Sequence, residues 1–185
     1  APESGSPETL KLIKKKITLE KMKQSIRTAI QCGIVVRTNM ILGFPHEKRK
    51  NILETLKVQL QFALMGVDEA PLYAFQPYPG TELFEYLLKK GRLQLHDFYF
   101  DSLSTFSTGK FSMPKESYCE HVGKRELHFY RVSCFFLFYF LSYLLHPQRV
   151  LRTIKNLFFT NKSSTVFEQR IKDRLRKVSL SRASL

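Results

Sequence analysis

Three short stretches gather polar, glycine and proline residues in the manner of ligand-handling loops. They are Glu3-Ser4-Gly5-Ser6, Asn39-Met40-Ile41-Leu42-Gly43-Phe44-Pro45-His46-Glu47 and Gln76-Pro77-Tyr78-Pro79-Gly80-Thr81. Carboxylate, amide and hydroxyl groups can hydrogen-bond a polar ligand, and glycine lets backbone approach it closely. Each stretch also has a plainer reading. Glu47 can favour the dipole of a following helix, Asn39 can be satisfied locally, and Pro-Tyr-Pro-Gly-Thr can be a turn alone. The three cysteines, Cys32, Cys119 and Cys134, are far apart and form no CxxC pair or CxxxCxxC run. They make neither a disulfide scaffold nor a self-contained metal site, so no metal ligands are assigned in this chain. Free thiols in a reducing cytoplasm are the simplest reading.

The elements that must position these stretches follow from periodicity. Residues 18–32 read as a helix: Thr18 is a plausible N-cap, Met22, Ile26, Ala29 and Ile30 form one stripe, and Gly33 suits the C-terminal turn. Residues 34–42 are rich in β-branched residues and nearly continuous in apolar character, interrupted by one polar triplet, which predicts a strand buried on both faces. A helix over 47–65 follows, with Ile52, Leu56, Leu60, Ala63 and Leu64 on one face. A second strand is predicted over 67–75 and a short helix over 82–90. Strands alternating with helices imply βα units and a parallel sheet. In such sheets ligands gather at the C-terminal strand ends.

Beyond residue 91 the pattern changes. Residues 92–127 read as irregular, with short helical pieces. From Val132 to Leu145 runs a stretch of 14 residues without a charge, shorter than the ~20 residues of a spanning helix. It is read either as a helix packed in a core or as one lying in a membrane interface. Residues 147–159 read as a basic amphipathic helix, and 160–185 as a polar, basic tail with a poorly ordered end. The 185-residue chain carries a net charge of +14, and residues 146–185 hold 10 Lys/Arg against 2 Asp/Glu. That tail suits an anionic partner such as lipid, nucleic acid or another protein, or simple solvation. No nucleic-acid-binding signature is evident, so none is expected as a partner.

Taken together and in this order, "ESGS", "NMILGFPHE" and "QPYPGTELFE" resemble the last strands of a radical S-adenosylmethionine (SAM) enzyme barrel. The "PYPGT" form and the Phe/Arg-rich extension are similar to the cobalamin-binding subfamily. The resemblance covers residues 1–91 well and 92–160 only in general character. It implies an α/β fold: the C-terminal half of a partial (β/α)6 TIM-like barrel over 1–91, a connecting region over 92–127, a helical extension over 128–160 and a basic tail over 161–185. The chain opens at Ala1 without Met, and the earlier strands are expected upstream. So is the CxxxCxxC loop that holds a 4Fe-4S cluster in this family.

The implied chemistry is reductive cleavage of SAM to a deoxyadenosyl radical that abstracts a substrate hydrogen. The implied cofactors are SAM and the 4Fe-4S cluster, with cobalamin as a further candidate. By the same resemblance, Glu3 would hydrogen-bond the SAM ribose, with Ser4 a neighbouring contact. Lys15 would pair with the SAM carboxylate, although Lys14 and Lys16 flank it and a solvated lysine run explains all three equally well. Asn39 would also reach the ribose, Ile41 and Gly43 would flank the adenine, and Gln76 and Tyr78 would face the adenine edge or the substrate. Implied partners are a small-molecule substrate of lipid or tetrapyrrole type and an electron donor such as flavodoxin or ferredoxin. A peripheral inner-membrane contact through 132–159 is the further expectation for a cytoplasmic protein. The competing reading is a degenerate, non-catalytic half-barrel that serves as a nucleotide-binding or membrane-surface module.

Overall fold

A computed structural model describes residues 1–105, 113–160 and 162–183. Among these residues the chain forms eight helices and two strands. Helix α1 (Pro7–Leu12) starts on a proline, whose missing N–H is no loss at a helix start. Helix α2 (Leu19–Gln31) follows Thr18 as its spacing predicts, and Gly33 ends it at φ 74°. Strand β1 (Met40–Leu42) leads through Gly43-Phe44-Pro45 into α3 (Arg49–Met65), which stops at the left-handed Gly66. Strand β2 (Leu72–Ala74) lies parallel to β1, pairing Met40 with Leu72, Ile41 with Tyr73 and Leu42 with Ala74. Then come α4 (Glu82–Lys89), capped by Thr81 Oγ1, and α5 (Asp97–Thr105). The C-terminal part is α6 (Lys124–Leu145), α7 (Pro147–Phe158) and α8 (Val166–Ala183).

The expected half-barrel is not formed. The molecule is mostly helical, and its sheet has two strands of three residues each. Beyond that ladder the pairing shrinks to two single parallel bridges, Glu3 with Met40 and Arg37 with Glu69. The physical reasons are local. Ile34 and Val35, which read as strand, are 58% and 49% exposed and pair with nothing in the ladder; β-branched composition states a preference, and a neighbouring strand must satisfy it. Within 67–75, Pro71 has no N–H to give a ladder and only its carbonyl accepts, from Met40 N. The outer edge of β2 meets a helix instead of a strand: Arg131 of α6 donates to the Leu72 carbonyl at 3.1 Å.

The tail, read as polar and basic with a poorly ordered end, carries α8 as far as Ala183, and residues 184–185 lie outside the described residues. The region 92–127, read as irregular with short helical pieces, contains α5 as one such piece, and its residues 106–112 lie outside the described residues. The Phe-rich run belongs to the 22-residue α6, which is long and apolar enough to cross a membrane by length and composition. In the fold it packs against α3 and β2. Leu127, Cys134 and Phe138 join Met40, Leu42, Ile52, Phe62 and Leu72 in the main core. A second cluster, built on Phe44, Phe75, Phe84, Leu87, Tyr99 and Tyr118, lies beneath the C-terminal strand ends.

Candidate functional site

The first stretch, Glu3-Ser4-Gly5-Ser6, is divided between two jobs. Ser4, Gly5 and Ser6 are docked on α3. The Ser4 hydroxyl bonds Thr55 Oγ1 at 2.9 Å, the Gly5 N–H donates to the same oxygen at 3.0 Å, and Asn51 Nδ2 donates to Ser6 Oγ at 3.0 Å. Gly5 has to be glycine, since a Cβ there would meet Thr55 and Val58 at 2.8 Å. Ser4 and Ser6 are fully buried in this contact, so Ser4 serves the α3 junction.

Glu3 is placed differently. It adopts φ 68°, a left-handed conformation uncommon for a residue with a side chain. Its backbone docks on the free edge of β1: Glu3 N donates to the Asn39 carbonyl at 3.3 Å, and Ile41 N donates to the Glu3 carbonyl at 2.6 Å. Its carboxylate accepts from Lys15 Nζ at 3.3 Å, with both side chains partly exposed. Of the flanking lysines, Lys14 pairs with Glu82. Lys15 also lines an open groove of about 730 Å³ with Leu10, Lys11, Lys16 and Ile17.

Beside this edge runs a polar chain. Arg37 Nε donates to Asn39 Oδ1 at 3.3 Å, and its Nη2 donates to the Tyr73 hydroxyl at 2.9 Å. Asn39 is thus already oriented by a cation. Ile41 is half-buried and packs on the Phe44 cluster. The strand edge therefore assembles Glu3, Lys15, Asn39 and Ile41, together with Arg37 and Tyr73, which the sequence reading did not single out.

Gly43 and Glu47 form a second unit. Gly43 takes φ 87°, and a Cβ on it would lie 2.8 Å from Leu127 of α6. The close approach it allows is thus to a helix side chain. Glu47 is fully buried. Its carboxylate accepts from Gly43 N at 2.7 Å, Phe44 N at 3.2 Å and Thr9 Oγ1 at 3.1 Å. Burial pushes its pKa up to about 7, and the Gly43, Thr9 and Phe44 donors pull the other way. This carboxylate ties α1 to the turn after β1. The sequence signal was available: an acidic residue three and four positions after a Gly-Phe turn can reach back to both amides.

Gln76 and Tyr78 are separate again. Gln76 lines a cavity of about 250 Å³ with Arg92, His96, Tyr99, Lys115 and Tyr118, and its buried Oε1 has no hydrogen-bond partner among the described residues. None of Glu3, Lys15, Asn39 or Ile41 lines that cavity. Tyr78 is exposed in the loop before α4.

No group of three His, Cys, Asp or Glu side chains among the described residues could hold a metal ion. Cys32 is exposed, while Cys119 and Cys134 are buried. Burial raises both buried thiols, Cys134 to about 12. The described residues therefore do not fit an iron–sulfur cluster. They do fit parts of SAM: the Glu3 carboxylate suits a ribose diol, and Lys15 suits an amino-acid carboxylate.

No protein-family model matches the chain. It is 34% identical over 91 residues to an uncharacterized methyltransferase of Pyrococcus horikoshii, a match covering 49% of this chain and 19% of that protein. It is 30% identical over 100 residues to the tRNA-2-methylthio-N(6)-dimethylallyladenosine synthase of Anoxybacillus flavithermus, covering 50% and 18%. An uncharacterized protein of Methanopyrus kandleri matches at 28% over 79 residues, covering 43% and 15%. The chain spans less than a fifth of the length of these curated relatives. Over about half its own length, it is a distant relative of a methyltransferase and of a tRNA methylthio-nucleoside synthase.

Proposed function

We propose that this chain is the SAM-binding portion of a radical SAM enzyme that modifies its substrate by methyl or sulfur-group chemistry. The observation that carries the reading is the Glu3–Lys15 pair on the free edge of β1, next to Asn39. Both named relatives support it, since methyltransferase and methylthio-nucleoside chemistry fit the use of SAM. When bound, SAM supplies a sulfonium whose carbon–sulfur bonds can be broken. In this chain Glu3 holds the two ribose hydroxyls. Lys15, held at that edge by Glu3 before SAM arrives, exchanges this contact for the amino-acid carboxylate and neutralises it. Asn39, turned by Arg37, supplies a further hydrogen bond near the ribose. Ile41 and the Phe44 cluster form the apolar floor. No step involving a metal cluster is assigned to this chain, whose described residues do not fit one.

The test is SAM binding to the protein by equilibrium dialysis, with S-adenosylhomocysteine and ATP as competitors. Saturable binding displaced by S-adenosylhomocysteine and not by ATP supports the reading. No saturable binding up to about 1 mM, which corresponds to only about −4 kcal/mol, overturns it.

A further inference from the structure

Helix α7 is turned inside out. Arg149, Arg152, Thr153 and Asn156 face the protein, while Leu151, Ile154 and Phe158 face away. Arg149 Nη1 donates to the Val67 carbonyl at 2.9 Å and to Ser142 Oγ at 2.6 Å, and its Nη2 bonds the Gly66 carbonyl. Arg152 Nη2 donates to Asp68 Oδ1 at 2.9 Å. Thr153 Oγ1 and Asn156 Nδ2 both donate to the Glu168 carboxylate, each at 2.9 Å. Arg152 Nε is buried without a partner among the described residues, but the other contacts fix the orientation of the helix through its hydrogen bonds and ion pairs.

The consequence is an outward apolar stripe. Leu151, Ile154 and Phe158 repeat at helical spacing and are 70%, 45% and 69% exposed, with Phe159 following at 79%. At the C-terminal end of α6, Phe140 and Leu144, one turn apart, are each 63% exposed as well. An amphipathic helix of a water-facing surface does the reverse, and exposed apolar surface of this extent marks an interaction site.

Charge selects the occupant. Lys155 on α7, Lys162 after it and Arg170 and Arg174 on α8 are exposed, against one exposed acid on α8, Asp173. The acidic Glu168 is buried against α7, and the Asp68 side chain, 7% exposed, pairs with Arg152, so their charge is spent inside the protein. An exposed apolar stripe on a net-basic helical segment is the pattern of a helix lying in the headgroup region of an anionic bilayer. Spanning is a poor fit, because α6 packs along α3 through Leu127, Cys134, Phe138 and their neighbours. We infer that α7, with the end of α6, is a docking surface for an anionic phospholipid bilayer, on which the protein lies peripherally.

The experiment is flotation of the protein with vesicles of phosphatidylcholine and phosphatidylglycerol, compared with pure phosphatidylcholine. The variants are Leu151→Glu/Phe158→Glu and the milder Leu151→Ser/Phe158→Ser, each checked by its thermal melt. The expected result is binding to the anionic vesicles that weakens in high salt and falls about tenfold in both variants, with the melt unchanged. Absence of binding to either vesicle overturns the inference, as does binding that both variants retain. A concentration-dependent dimer that both variants abolish, without lipid binding, assigns the stripe to a second copy and also overturns it.

Discussion

Lys15 Nζ lies 3.3 Å from Glu3 Oε1, joining the loop after α1 to a residue held on the free edge of β1. Both side chains keep part of their surface open, so each can exchange this contact for a ligand group. The surrounding segments are fixed: Ser4 and Gly5 are bonded to Thr55 of α3, and Glu47 clamps α1 to the turn after β1. A partly open ion pair on a rigid edge is suited to binding, since its ordering cost is met before the ligand arrives.

The pair separates two ends of a ligand. Lys15→Ala is expected to weaken SAM binding several-fold while leaving 5′-methylthioadenosine, which lacks the amino-acid carboxylate, unaffected. Competition dialysis with both compounds reads the difference. Equal losses for the two would place Lys15 elsewhere.

Gly43 faces two demands at once, a left-handed φ of 87° and Leu127 2.8 Å from where a Cβ would sit. Gly43→Ala is expected to destabilise the protein by about 1–3 kcal/mol. Adding Leu127→Ala removes the clash and leaves the backbone strain, so it does not restore wild-type stability. Chemical denaturation of the single and double variants checks this.

Glu47 makes stability depend on pH. Its folded pKa of about 7 lies above the ordinary carboxylate value, so the native state holds a proton that the unfolded chain releases. Its contribution is fully present below the ordinary carboxylate pKa, falls as pH rises, and is lost above about 7. The full change is at most about 3 kcal/mol. Urea melts at pH 5 and pH 8 should show the decline, and Glu47→Gln should flatten it. A decline of the same size in Glu47→Gln would assign it to other groups.

Thiol reactivity follows burial. At pH 8, Cys32 is expected to react rapidly with a chromogenic disulfide, while Cys119 and Cys134 react only after unfolding. Titration should find one thiol in the native protein and three in denaturant. Rapid reaction of a second thiol under native conditions would contradict the burial of Cys119 or of Cys134 on α6.

Periodicity located α2, α3, α4 and α7 because apolar stripes, Thr18, Gly33 and Gly66 state where a helix starts, faces and stops, but it did not locate the six-residue α1 or the polar, basic α8. It overextended both strands, since Ile34 and Val35 favour extended backbone and yet have no neighbouring strand to pair with. The family resemblance, in turn, assigned Ser4 and Gly43 to a ligand, whereas their close partners in the fold are Thr55 and Leu127. Small residues mark a close approach without saying what approaches. The stripe on α7 was legible, but its outward direction was not. That direction is set by Asp68 and Glu168, the first of them more than eighty residues from its partner Arg152.

The most direct measurement is the affinity of the Glu3→Gln variant for SAM and for 5′-methylthioadenosine, both of which carry the ribose. Loss of a charged acceptor to a diol is expected to weaken both about tenfold, about 1.4 kcal/mol, with the melting temperature unchanged. Undiminished binding of both ligands to a folded Glu3→Gln protein would contradict the placement of the ribose at Glu3.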